Sequence, residues 1–187
     1  GEESKISGPN LSRVVIQLYD NLCPLTCENF KTLCIGSHGF TYAGTPFHRV
    51  VRNGWVQGGD VEDGSGAGGE AVVGAEVTFP DETFAVKHDG EGIISMANAG
   101  KAHTNGSQFF ITLSALPWLD YKRVAFGRVI FGMETMRRIA ETPLKNERPR
   151  GLCEIYCSGE FAGSTGVLDL MPTPFMGGTT STKEQKQ

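Results

Sequence analysis

Gly64-Ser65-Gly66-Ala67-Gly68-Gly69 has the spacing G-x-G-x-x-G. In that pattern a glycine turn between a strand and a helix offers helix amides to a pyrophosphate. The chemistry needs a helix opening after the glycines. The next residues, from Glu70 to Phe79, contain Gly74 and read as extended, so the segment is expected to be a loop and not a nucleotide site. His38, His48, His88 and His103 stand in no Glu-x-x-His or His-x-x-x-His relation, and no Gly-x-Ser-x-Gly elbow supplies a nucleophile. Hydrolysis therefore has no support, and each histidine reads as a surface or hydrogen-bonded residue. Cys23/Cys27 and Cys153/Cys157 are each four apart with no histidine near, a poor spacing for zinc, and Cys34 leaves the set odd. The thiols are expected to be reduced. Arg49 and Gln57 remain, each set among β-type apolar residues. On residue type alone, the alternative to a functional role for these two is a structural ion pair.

The elements that hold these residues are short. In residues 13–19, Val14, Ile16 and Leu18 share one face at a period of two, the pattern of a half-buried strand. Pro24 opens a helix in which Cys27, Phe30 and Cys34 recur, and Gly36 stops it. Residues 47–51 read as a strand, and an extended segment is expected over 71–78 before a turn at Pro80-Asp81. Further strands are expected over 93–96, 108–112 and 123–130, then a second helix with Met133, Met136, Ile139 and Ala140 on one side, then a closing strand over 152–156. Many short strands with two helices point to a mainly β barrel or sandwich.

The 187 residues suffice for one domain with one core, at 39% hydrophobic and 20% charged. Seventeen Lys and Arg against 21 Asp and Glu give a net charge of −4 with no basic run, which argues against a nucleic-acid partner. No apolar stretch approaches the ~20 residues of a membrane span, and no signal-peptide pattern opens the chain. These features imply no membrane partner and a cytoplasmic location. The chain starts at Gly1 and not at Met, so it reads as a processed form or an excised piece. Residues 1–162 are expected to form the domain and 163–187 a disordered tail, because the latter carry no core pattern.

Three segments carry a resemblance. They are Phe47-His48-Arg49-Val50-Val51 with Val56-Gln57-Gly58-Gly59-Asp60; Ser95-Met96-Ala97-Asn98-Ala99-Gly100 with Thr104 to Ile111; and Trp118-Leu119-Asp120 leading into Val124-Ala125-Phe126-Gly127. Together they closely resemble the cyclophilin family of peptidyl-prolyl cis-trans isomerases, from about Ile6 to Gly159. The resemblance implies a closed eight-stranded antiparallel β-barrel capped by two helices, with a first strand around residues 4–8. It implies an enzyme that rotates X–Pro peptide bonds, assists protein folding, needs no cofactor or metal, and acts as a monomer. Partners would be proline-containing peptide segments, with cyclosporin A as inhibitor.

By the same resemblance Arg49 is the catalytic donor to the prolyl amide, and Gln57 positions it. Phe110 and Leu119 form the proline pocket. Trp118 offers an indole N–H, Asn98 pairs its backbone with the substrate, and Ala97, Ala99 and Gln108 line the groove. Trp55 and Arg123 complete the set, standing where the family has a methionine and a pocket histidine. There are further departures. Gly54 stands where an aromatic pocket wall is usual, the loop from Gly100 to Thr104 is one residue longer, and Ala67 replaces a threonine. Asn53-Gly54-Trp55 with Asn146-Glu147-Arg148-Pro149 is similar to a divergent branch of the family, which implies weak or absent catalysis. The alternative is a proline-peptide binding module of the same fold.

Overall fold

A computed structural model describes residues 13–161. The expected strand over 4–8 and tail over 163–187 lie outside the described residues. The chain forms β1 (Val15–Leu18), α1 (Pro24–Ile35), β2 (Arg49–Val51), β3 (Trp55–Gly58), β4 (Ile93–Asn98), β5 (Asn105–Thr112), β6 (Ala125–Phe131), α2 (Met133–Glu141), β7 (Leu144–Lys145) and β8 (Arg148–Pro149). Six strands make one antiparallel sheet in the order β1-β6-β4-β5-β3-β2, and β7-β8 is a separate hairpin. The mainly β architecture with two helices is as expected, whereas the eight strands are divided between two sheets.

Pro24 occupies the first turn of α1, where its missing N–H costs nothing. The orphan amides of Leu25 and Thr26 donate to the Glu82 carboxylate at 2.8 Å each, so the cap comes from 57 and 56 residues away. Gly36 ends the helix in the left-handed region, φ 78°, with its N–H on Thr32 O. The inward face of α1 brings Phe30 against Tyr42, Phe109 and Phe126 at 5.1–5.3 Å between ring centroids, and this aromatic group is the centre of the core.

Two expected strands differ. Over 71–78 the chain bends: Gly74 at φ 80° turns it back so that Ala71 N–H reaches Val77 O at 2.9 Å. Over 152–156 only Glu154 forms a bridge, to Pro46, and Leu152 and Tyr156 are exposed. β3 and the β7-β8 hairpin lie where the sequence pattern marks no strand. In β3 the glycine is required, because a Cβ at Gly58 would stand 2.9 Å from the Phe47 ring.

Candidate functional site

Strand register alone assembles one row of side chains. Arg49 pairs with Gln57, Gln57 with Phe110, and Phe110 with Ser95. Alternation sends Val50, Val56, Phe109 and Ile111 into the core, so this row lies on the opposite face. Trp55, two residues before Gln57, shares that face. Its ring centroid lies 5.6 Å from Phe110 and 5.9 Å from Trp118, and its Nε1 donates to Gln57 Oε1 at 3.2 Å. Phe110, Leu116 and Leu119 form a small apolar cluster with Trp55 and Ala97 packed on it. A compact apolar ring such as proline's fits an aromatic-lined patch of this kind.

The amides form a directed chain. Gln57 Nε2 donates to Gln108 Oε1 at 2.9 Å, and Gln108 Nε2 donates to Gly66 O at 3.0 Å and Gly68 O at 2.6 Å. The glycine loop is held from within: Asp60 Oδ2 accepts from Gly66 N (2.7 Å) and Gly68 N (3.3 Å). Thus the G-x-G-x-x-G segment is an ordered loop that buttresses Gln57 through Gln108.

Arg49 is engaged by a residue that sequence reading missed. Its Nε donates to Glu147 Oε2 at 2.8 Å, and its guanidinium carbon lies 5.4 Å from the Trp55 ring centroid. Glu147 sits in the turn of the β7-β8 hairpin at φ 61°, after Asn146 at φ 50°. Two-residue hairpin turns with positive φ at both positions favour Asn-Gly, so a glutamate there is a local oddity that could have drawn notice. Val50 N–H donates to Glu147 O at 2.7 Å, which ties the turn to β2. The ion pair that stood as the structural alternative for Arg49 is present, at an exposed site: the side chains are 45% and 48% exposed.

Beneath the apolar patch lies a buried polar support. His88 stacks on Phe110 with ring centroids 6.0 Å apart and planes 15° apart. Its Nδ1 is 3.0 Å from Asp120 Oδ1 and its Nε2 3.0 Å from Ser95 Oγ. Burial pushes the His88 pKa down, against the opposing pull of Asp120. The neutral tautomer that satisfies both contacts donates from Nδ1 and accepts at Nε2. Leu116 N–H closes the unit on His88 O at 2.8 Å. His88 carries no accessible chemistry; it fixes the floor on which Phe110 rests.

The other expected residues sit around this centre. Trp118 is 55% exposed, and no described residue accepts from its indole N–H. The β4-β5 register slips at Ala97, and Asn98 follows as the last residue of β4. Asn98 Nδ2 donates to Lys122 O at 3.4 Å, and Ala99 N–H to Thr104 Oγ1 at 3.2 Å. Arg123 lines a hollow whose lining does not include Phe110, and its Nη1 donates to Lys122 O at 2.8 Å. Gly54 is buried in the β2-β3 turn, with its N–H on Val51 O and its O accepting from Leu113 N. A Cβ there would meet Val51 Cγ1 at 3.0 Å and Val51 O at 3.3 Å. A side chain at Gly54 would therefore start against Val51, and in this chain Trp55 supplies the aromatic surface.

No group of three or more His, Cys, Asp or Glu among the described residues is arranged to hold a metal ion, and no described helix is long and apolar enough to cross a membrane. The family model for cyclophilin-type peptidyl-prolyl cis-trans isomerases matches residues 5–158. A Bos taurus protein named "Probable inactive peptidyl-prolyl cis-trans isomerase-like 6" is 48% identical over 157 residues, covering 80% of this chain and 50% of its own length. The Homo sapiens protein of the same name is 46% identical over 162 residues, covering 83% and 51%. An Encephalitozoon cuniculi protein named "Peptidyl-prolyl cis-trans isomerase" is 50% identical over 132 residues, covering 71% and 75%. The chain thus spans about half the length of the first two relatives. Matched across most of its length by the family model, with the arginine, the glutamine and the apolar patch on one face of its sheet, this chain belongs to the cyclophilin-type peptidyl-prolyl cis-trans isomerase family.

Proposed function

We propose that this domain binds X–Pro segments of proteins on the Arg49–Gln57–Phe110 face and catalyses their cis-trans rotation at a reduced rate. The observation that carries the reading is the juxtaposition of a guanidinium with an apolar, aromatic-lined patch through consecutive strand partners. Rotation faces a barrier of ~18–20 kcal/mol because the nitrogen lone pair is delocalised into the carbonyl. No bond breaks, so the protein needs only to favour the twisted amide over the planar one. Phe110, Leu119 and Trp55 seat the ring. Arg49, always charged and donor-only, donates to the prolyl nitrogen as its lone pair localises. Gln57 is held in orientation by Gln108 and Trp55 on either side. Trp118 donates its open N–H to a substrate carbonyl, and Asn98 and Ala99 border the path of the peptide strand.

A second reading, peptide binding with little turnover, is favoured by Glu147, which accepts from Arg49 Nε and so restrains where the guanidinium points. The names of two relatives agree with it. The remaining expectations belong to the same proposal. They are cyclosporin A as a ligand of this face, a role in protein folding, a monomer in the cytoplasm without nucleic-acid or membrane partners, and closure into an eight-stranded barrel. Closure is supported at one edge by backbone bonds from Gly44 and Phe47 to Ile155 and Cys153.

A protease-coupled assay on a chromogenic X–Pro peptide tests the main reading. The parent should exceed the uncatalysed exchange, roughly 10–100 s at 25 °C, and Arg49→Ala should lose most of the gain while remaining folded. A folded Arg49→Ala as fast as an active parent would refute the assignment. An inactive parent that still binds peptide would select the second reading.

A further inference from the structure

A second concavity opens beside the proline patch, with a volume of about 400 Å³. Two loops wall it, residues 100–103 after β4 and residues 121–123 after the turn that holds Leu119. Both loops thus continue segments of the peptide face, and Asn98 Nδ2 joins them by donating to Lys122 O. From Ala97 to Gly100 is three residues, about 10 Å of extended chain. A peptide seated on Phe110 and Leu119 therefore reaches the hollow within about three residues of its proline.

The lining is cationic in a chain of net charge −4. Lys101, Lys122 and Arg123 converge on it, and none has a carboxylate within ion-pair distance among the described residues. Asp81 is the one acidic lining residue, and its side chain is only 4% exposed. Its oxygens are taken by Asn105 Nδ2 at 2.8 Å and His103 N–H at 2.9 Å. Arg123 is partly buried, with a single bond to a main-chain carbonyl. Burial lowers its pKa, so the guanidinium sits where its charge is incompletely solvated. Tyr121 lies on the rim at φ 63°, a costly conformation for a residue with a side chain, and is 71% exposed. Phe84 backs it at 6.4 Å between ring centroids.

We propose that this hollow reads an acidic side chain, carboxylate or phosphoryl, lying within about three residues of the substrate proline. The inference rests on the peptide-binding reading above. Three cations outside any ion pair among the described residues, set against the single Asp81 carboxylate near Arg123, donate charge-assisted hydrogen bonds to such a group. A neutral flank leaves Arg123 with only the nearby Asp81 carboxylate as counter-charge.

Fluorescence anisotropy with labelled octapeptides carrying one central proline and, three residues away, Gln, Glu or phosphoserine tests it. At low salt the Glu peptide should bind about fivefold tighter than the Gln peptide, and the phosphoserine peptide about tenfold or more. These ratios should fall toward one in 0.5 M salt, where the screening length shortens, and in Lys101→Gln/Lys122→Gln. Circular dichroism of that variant checks the fold. Ratios near one in the parent, with the Gln peptide bound, overturn the inference and leave peptide binding standing. A ratio that survives the double substitution places the acid elsewhere and also overturns it. Failure of every peptide to bind at millimolar concentration overturns both readings.

Discussion

Replacing Glu147 tests whether its grip on Arg49 restrains the chemistry. Both partners are nearly half exposed, and ion pairs of that kind contribute about 0.2–1 kcal/mol. If Arg49 must leave Glu147 before it reaches the prolyl nitrogen, that energy is part of the barrier. At ~1.36 kcal/mol per decade, its removal raises kcat/KM by about 1.4- to 5-fold. Two variants separate charge from backbone. Glu147→Gln removes the charge and keeps a side chain at φ 61°, so the rate rises without gain in stability. Glu147→Gly also relieves left-handed strain of about 1 kcal/mol, which offsets the lost pair, so Tm stays near the parent value. The assay is protease-coupled isomerisation at pH 7, with exchange NMR on the same peptide as a check free of protease. Both variants should gain, and added salt should bring the parent toward them. If both are folded and slower than the parent, Glu147 orients Arg49 productively and the restraint argument is wrong.

Trp55→Ala should weaken peptide binding by roughly tenfold or more, since burying an aromatic side chain contributes about 1.5–3 kcal/mol; titration calorimetry reads it. Gly54→Phe should fail to restore activity and should lower Tm, because crowding against Val51 carries an overpacking cost of about 1–3 kcal/mol. Thermal unfolding as a function of pH should show stability falling as the pH drops below about 6.5. His48 and His88 are both held neutral by burial, so the unfolded chain binds protons first, at up to about 1.4 kcal/mol per pH unit for each. An unchanged Tm between pH 7 and 5 would contradict the buried neutral state.

Local signals identified the elements whose ends are marked. Pro24 and Gly36 bracket α1 at both ends, and the alternation of Val14, Ile16 and Leu18 matches side chains packed on the core around β1. The segment over 71–78 misled because its apolar residues imply burial but not ladder pairing. Ala71, Val72 and Val73 do face inward, while Gly74 curls the backbone onto itself. The two-residue strands β7 and β8 are too short to show a period. The Arg49–Glu147 contact spans 98 positions, and no local rule reaches that far. His88 was legible as a hydrogen-bonded histidine, but its place under Phe110 depends on β4 and β5 lying side by side.

The amide chain from Trp55 to the glycine loop has a kinetic meaning. Gly66 and Gly68 amides are shielded only while Asp60 holds them, so their hydrogen exchange clocks the local opening of that loop. Each opening strips Gln108 of the two carbonyls that fix its amide plane, and Gln57 then loses the acceptor that aims its own. The loop's opening free energy therefore sets what fraction of molecules has Gln57 held on both sides, and not by Trp55 alone, at any instant. Asp60, wholly buried, thereby acts on the orientation of Gln57 through the glycine loop and Gln108.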